Sequence, residues 1–449
     1  MEKLPVEILC HIFNQLPQKH IIKLTTVSKL FNEIIESNNL IKGLKVDTQT
    51  PLTLKSPKRK FSKVFIRDNN TENFIKALQA TGDSIEEVTI EHHRTTLNSI
   101  VTILNLLPNA KKITFRYINL EDEDEFVDAV VKPLNDITLE FYETDPTIFK
   151  ILHQVSVKKL VVRNYGDSPY YNFINFYPFI TLQKHLISFY FGGIFESNLM
   201  SSRFPDVEFR LKEFSIYNSD LEEYVHLETF LANHVDTLEK LSIKDVHGWD
   251  PSNVINKCKK LKSLELEAIE TNEITEEITS LEELSITMPN SGIDKFPNVR
   301  KLYIEGATVE SNRIFSANMK KVEDLTIRFG KVNGCYFEKV KKLSLINTDE
   351  IENDVFIIHN KIEELALINY FHLNDEQLEA IVSNLNNLKV FKIHTMCKLT
   401  ANSFQIMRKY CKNLRVLDMK TWSQQFNIND WKCLFDINGI EIYTENFNF

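Results

Sequence analysis

The chain has 449 residues, of which 43% are hydrophobic and 26% charged, so it can bury a large core and carries an ordinary charge load for a protein in water. Its 62 acidic against 53 basic residues leave a formal net charge of −9, which argues against a nucleic-acid binder, a class with a strong basic excess. The cysteines Cys10, Cys258, Cys335, Cys397, Cys411 and Cys433 form no C-x-x-C pair, so neither a zinc site nor a disulfide framework is signalled and a reducing compartment is expected.

The N-terminus carries Glu2 and Glu7 and lacks the basic-then-apolar layout of a signal peptide. No apolar run reaches the roughly 18–20 residues that span a bilayer. The expectation is a cytoplasmic or nuclear chain with no membrane and no nucleic-acid partner.

Residues 4–16 read LPVEILCHIFNQL. Pro5 suits the first turn of a helix, where its missing N–H costs nothing. Ile8, Leu9, Ile12, Phe13 and Leu16 then recur at three- and four-residue spacing, one apolar stripe on a helix that Pro17 stops. A second apolar stretch holds Ile21, Ile22 and Leu24, and a third holds Val27, Leu30, Phe31, Ile34 and Ile35. Three short helices in about 40 residues bury too little surface to offset chain entropy easily. The segment therefore calls for a partner, a neighbouring domain, or both.

The ordered strings LPVEIL, IFNQL and VSKLFNEII resemble the F-box, over residues 1–46. Leu4, Pro5, Glu7, Leu9, Ile12, Phe13, Leu16, Leu24, Val27 and Lys29 fall on that family's pattern. Ser28 stands where the family usually has Cys and Phe31 where it has Trp; Leu40 and Ile41 are the nearest match to its closing Leu-Trp pair. The resemblance implies docking on the Skp-type adaptor of a cullin ubiquitin ligase core. Leu4, Pro5, Ile8, Leu9, Ile12, Leu16, Leu24, Val27 and Phe31 are the candidate adaptor-binding residues. A second reading, compatible with the first, has these helices capping the array that follows.

Residues 47–60 read as a linker that carries Lys58-Arg59-Lys60, a short candidate nuclear address. From residue 61 to 449 one unit recurs, apolar-x-x-apolar-x-apolar, as in LEKLSI at 238–243, LEELSI at 281–286 and LRVLDM at 414–419. Its starts fall about 18–29 residues apart, the range of leucine-rich repeats. The last apolar pair of each unit alternates as in a strand and points inward, while the residue between points out. Helix signals follow some strands: Asn374 is an N-cap candidate with Gln377 three residues on, and Thr400 is another. Units near 281–299 and 322–340 are too short for a full helix. Cys411-Lys-Asn-Leu414 resembles the cysteine-containing subtype found in many F-box proteins. The expected fold is α/β: a leucine-rich-repeat solenoid with a curved parallel sheet and an irregular convex side, behind a small three-helix F-box.

The outward strand residues and the aromatics just past strand ends are the candidate substrate-binding residues. They are Arg163, Tyr217, Tyr303, Arg328, Lys392 and His394 on strands, with Tyr370, Phe371 and Trp422 past strand ends. Tyr165 and Trp249 belong to the second group too. The charges are mixed in sign and name no ligand. His92-His93 lacks partner ligands, so no metal is expected. No P-loop, G-x-G-x-x-G, H-E-x-x-H or G-x-S-x-G string appears, so no cofactor and no catalytic residue is expected. The sequence points to a non-catalytic ligase subunit with an unknown substrate protein; a repeat scaffold without ligase attachment is the alternative.

Overall fold

A computed structural model describes residues 4–16, 18–37, 45–47, 62–66, 75, 78–79, 82–91, 94–120, 131–164, 176–193, 207–217, 224–246, 249–267, 274–287, 295–334, 336–348, 351, 354–370, 373–395, 399–400, 402–421 and 441–444. The chain divides into two compact units, 1–230 and 231–449.

The first unit opens with α1 (Val6–Asn14), α2 (Gln18–Thr25) and α3 (Lys29–Ser37). Pro5 is the N-cap of α1, and its carbonyl accepts from the Leu9 N–H at 3.1 Å. Leu9, Phe13, Ile21, Phe31, Ile34 and Ile35 close a small core, with the Phe13 and Phe31 rings edge to face at 5.3 Å.

Parallel strands follow in sequence order: β1 (Lys45–Asp47), β2 (Lys63–Ile66), β3 (Glu87–Glu91), β5 (Lys112–Arg116), β7 (Leu134–Tyr142), β8 (Val155–Asn164), β9 (Ser188–Gly193) and β10 (Glu213–Tyr217). A separate pair, β4 (Arg94–Thr95) and β6 (Asn119–Leu120), runs beside them. The sheet begins at Lys45, ahead of the array start expected at 61; residues 48–60 of the expected linker lie outside the described residues. Inward side chains in this unit are aliphatic residues threaded by a chain of phenylalanine rings. Phe115 stacks on Phe141, Phe141 meets Phe149 at 4.8 Å, and Phe149 meets Phe176 and Phe179. The chain of rings continues through Phe189, Phe214 and Phe230.

The second unit repeats the design with aliphatic side chains. Its strands are β11 (Lys240–Lys244), β12 (Ser263–Glu267), β13 (Glu283–Thr287), β14 (Lys301–Glu305), β15 (Asp324–Arg328), β16 (Lys342–Ile346), β17 (Glu364–Ile368), β18 (Val390–Thr395), β19 (Val416–Thr421) and β20 (Glu441–Thr444). They pair in parallel with no register shift, so Leu241, Leu264, Leu284, Leu302, Leu325, Leu343, Leu365, Phe391 and Leu417 form one inward row. Among the described residues no helix joins β12 to β13, β13 to β14 or β15 to β16, in line with the short units there.

Two devices recur between repeats. The carbonyl two residues into each unit accepts two N–H groups from the next, as Glu239 does from Lys262 at 2.8 Å and Ser263 at 3.1 Å. The side chains there alternate in sign from repeat to repeat: Glu282-Glu283, Arg300-Lys301, Glu323-Asp324, Lys341-Lys342, Glu363-Glu364. Pairs close between neighbours, Lys301 to Glu283 at 2.5 Å, Lys341 to Glu323 at 3.0 Å and Lys389 to Glu363 at 2.6 Å. The Lys341 ammonium holds Glu323 below the usual carboxylate range, and Lys389 does the same for Glu363. These pairs are exposed and individually weak. Their alternation penalises a slip by one repeat, which would set like charges side by side.

Many of the described strand exits turn through the left-handed region. Gly306, Asn347, Asn369 and Asp245 take it at low cost, but Tyr117, Glu143 and Phe329 (φ 48°) are held there too. The same hydrogen bond fixes all of them: each N–H donates to a carbonyl at the end of the next repeat's strand, Phe329 to Ile346 at 3.0 Å and Asn369 to His394 at 2.7 Å.

Asn374 caps the helix Asp375–Val382 as expected, accepting from the Gln377 N–H at 2.8 Å, but Gln377 Oε1 makes no return bond, so the capping box is half formed. Asp375 ties this helix to the next, Asn402–Tyr410, by accepting from the Thr400 and Ser403 hydroxyls and from the Thr400 N–H at 2.9 Å. Partial burial pushes the carboxyl up, yet the Ser403 and Thr400 donors outweigh it and hold the net value below the ordinary 3.8. A depressed carboxyl stabilises the fold above its unfolded value and stops doing so as pH falls through the folded one. Asp375→Ala is expected to cost about 1 kcal/mol at pH 7 in urea unfolding, the scale of a partly exposed hydrogen-bonded group. The difference from the parent should shrink steadily as pH falls below 3.8; a cost that stays constant from pH 7 through the acid range would contradict this role.

Candidate functional site

Three surfaces carry the candidate residues. On the helical head, the small core takes Leu9 and Phe31, so these two serve its packing rather than its surface. Ile12, Leu16 and Leu24 are half-buried against that core. Leu4, Ile8 and Val27 stand open, at 40%, 48% and 69% exposure, joined by Val6 and Leu30. Ile8 and Ile12, four residues apart, lie on one ridge of α1, and Leu4 sits ahead of the helix N-cap. Pro5 is exposed at the head of that ridge.

In the first unit, β5, β7, β8 and β9 bury Phe115, Phe141, Val162 and Phe191, which turns Arg116, Tyr142, Arg163 and Gly192 outward in one register row. The Arg116 guanidinium lies 4.7 Å from the Tyr142 ring centre, and Arg163 lies 5.5 Å from the same ring and 4.4 Å from Tyr190. Tyr190 leans across Gly192, where an added Cβ would stand 3.2 Å from the ring and 3.4 Å from the Cβ of Tyr217. Arg163 and Tyr217, expected as separate outward residues, thus belong to one row, and Tyr142 and Tyr190 join it. The missing signal is the pairing register: both tyrosines look like any other outward strand residue until their neighbours are known.

In the second unit, Tyr303 and Arg328 meet on one carboxylate. Tyr303 Oη donates to Glu305 Oε2 at 2.8 Å, and Arg328 Nη1 lies 3.4 Å from the same oxygen. Burial raises the Tyr303 hydroxyl, with Arg328 opposing and Glu305 adding to the shift. Beside them, Glu265, Glu283, Ser285, Lys301, Tyr303 and Asp324 line a shallow groove of about 320 Å³. Lys392 is exposed on β18, while His394 Nε2 stands 3.0 Å from Asp418 Oδ2 without hydrogen-bond geometry.

Tyr370 does not reach this face. It is 1% exposed, and its hydroxyl accepts from the Ile351 N–H at 3.3 Å, so the ring anchors a loop from inside. Trp249 is likewise buried. Phe371, Trp422, Tyr165 and the His92-His93 pair lie outside the described residues. Among the described residues no cluster of side chains is arranged to hold a metal ion, and no helix is long and apolar enough to cross a membrane.

Phe329 was not legible from sequence as a surface feature. It is 51% exposed, sits at a strand exit in the left-handed region, and carries the Arg328 guanidinium 4.7 Å above its ring. A bulky residue in that conformation costs about 1–2 kcal/mol relative to one suited to it. Phe329→Asn, which copies Asn347 and Asn369, is expected to raise unfolding stability by roughly 0.5–1 kcal/mol. A loss of stability in thermal unfolding would show that the ring's packing outweighs the backbone strain.

Residues 1–44 match the model of the F-box-like family, so an F-box-like domain forms the N-terminus and a parallel repeat array follows it. Among solved structures, an internalin from Listeria monocytogenes is 12% identical, with 84% of this chain and 89% of that one covered and a TM-score of 0.34. A chain from the Rad7 and Elc1 complex in yeast is 14% identical, with 97% and 92% covered and a TM-score of 0.35. Neither likeness adds to the architecture, which the strand register establishes by itself. No curated protein matches the sequence.

Proposed function

We propose that this chain is the substrate-recognition subunit of an SCF-type ubiquitin ligase. The N-terminal helices dock on the Skp-type adaptor of the cullin core, and the repeat array, whose sheet begins at Lys45, holds a substrate protein on its outward face. The chain performs no chemistry; ubiquitin transfer by the other subunits follows from proximity.

One observation carries this reading. The F-box-like segment closes its own core and still leaves Leu4, Ile8, Val27 and Leu30 open to solvent. Helices serving only as a cap would turn such side chains onto the array. Each apolar side chain covered by a partner contributes roughly 1.5–3 kcal/mol before the cost of association. Pro5 and half-buried Ile12, Leu16 and Leu24 flank the ridge and complete the proposed contact.

The test is capture of the full chain by purified Skp-type adaptor. The parent is expected to bind, and Leu4→Asp with Ile8→Asp to weaken binding at least a hundredfold without altering the far-UV circular dichroism. Absence of binding by the parent, or binding indifferent to both substitutions, would overturn the proposal in favour of a repeat scaffold.

A further inference from the structure

The row Arg116–Tyr142–Arg163–Tyr190 has a property that its packing does not account for. Across the row, guanidinium carbons and phenol rings alternate with 4.4–5.5 Å between them, so each ring helps hold its arginine neighbours in place. Stacking covers the flat faces of a guanidinium and leaves its N–H donors pointing out around the edge. Neither arginine forms an ion pair among the described residues, and both Nε atoms are covered and without an acceptor. Glu91 lies opposite Arg116 in register yet makes no ion pair with it, and Glu140, the nearest outward carboxylate on β7, is already paired with Lys112 at 2.7 Å. Lys159, four residues before Arg163 and on the same face of β8, is exposed and forms no ion pair among the described residues. On a chain of net charge −9, these three unneutralised cations stand out.

Their spacing sets the ligand. Arg116 and Arg163 lie on strands separated by one other, so their backbones are about 10 Å apart, with Tyr142 between. Alternate side chains of an extended peptide are about 7 Å apart on one face. Two oxyanions at such positions reach the edges of both guanidiniums, where charge-assisted, two-pronged hydrogen bonds form. Gly192 matters because any side chain there would press on the Tyr190 ring and loosen its grip on Arg163.

We propose that this row is a binding site for an extended acidic peptide, presenting carboxylate or phosphate oxyanions to Arg116 and Arg163, with Lys159 at its margin. The proposal rests on the reading of the array as a substrate-binding surface and names the class of segment it takes.

The test uses the full chain and three labelled decapeptides in which Gly alternates with phosphoserine, with Glu or with Ser, followed by fluorescence anisotropy. The anionic peptides are expected to bind and the Ser peptide not to; stronger binding of the phosphoserine peptide identifies phosphate as the preferred oxyanion, and equal binding identifies the carboxylate. Arg116→Gln with Arg163→Gln is expected to weaken binding at least tenfold, with melting temperature and adaptor capture unchanged. Arg163→Lys keeps the charge but loses the planar fork, and is expected to weaken binding severalfold. For the parent, affinity should fall as salt rises from 0.05 to 0.5 M, a measurement that needs no variant (about 14 to 4 Å in screening length). Failure of both anionic peptides to bind, equal binding of the Ser peptide, or indifference to the arginine substitutions would overturn the proposal. Adaptor capture read in parallel separates the two claims: peptide binding without capture defeats only the ligase reading, and capture without peptide binding defeats only this one.

Discussion

Everything in the two repeat units depends on one constraint: a single strand cannot bury its inward pair of side chains without a copy of itself on either side. Leu264 and Leu266 lie between Leu241 and Ile243 on one flank and Leu284 and Ile286 on the other. Each such residue contributes about 1.5–3 kcal/mol when fully buried, and only the neighbouring repeat supplies the cover. Register is therefore fixed with little freedom, because a shift of one residue would turn the whole row to solvent. The strained strand exits are a consequence. Once the row is aligned, the residue after the strand must turn so that its N–H reaches the next repeat, and even Phe329 obeys.

The same constraint leaves the outward face chemically open, and the two units use that freedom differently. The first threads phenylalanine rings through an aliphatic interior and sets tyrosine beside arginine on part of its outward face. The second builds its interior mainly from Leu and Ile, and several of its outward charges pair with one another, as at Tyr303, Glu305 and Arg328 or Lys244 and Glu265. Arg116 and Arg163, ringed by tyrosines and without ion pairs among the described residues, lie on the first unit, which is why the inferred ligand contact falls there. The sign-alternating pairs of the second unit read as ordering devices rather than as contacts for a partner.

Much of the architecture is legible because the repeat announces itself. In the second unit the apolar-x-x-apolar-x-apolar strings coincide with β11 to β19, and Asn374 caps its helix as its residue type suggests. The terminal strands β1 and β20 escape notice because three or four residues carry no full unit, and β4 and β6 have no apolar alternation at all. A helical stripe shows that one side of α1 is apolar. It does not show where the covered part stops, which is why Leu9 and Phe31 could not be told from Leu4 and Val27. Tyr370 has the residue type of a surface anchor, but Ile351 offers its N–H from inside. The tyrosine–arginine row was invisible for a different reason, since it is a relation among four strands distant in sequence.

The account divides labour between a helical head with an open apolar ridge and an array whose outward face is left free for a partner. Hydrogen–deuterium exchange of the full chain with and without purified Skp-type adaptor tests that division most directly. Protection is predicted at residues 4–12 and 24–31, with exchange of the strand amides of β2 to β19 unchanged. Protection spread over the strands, or none on the helices, would contradict it.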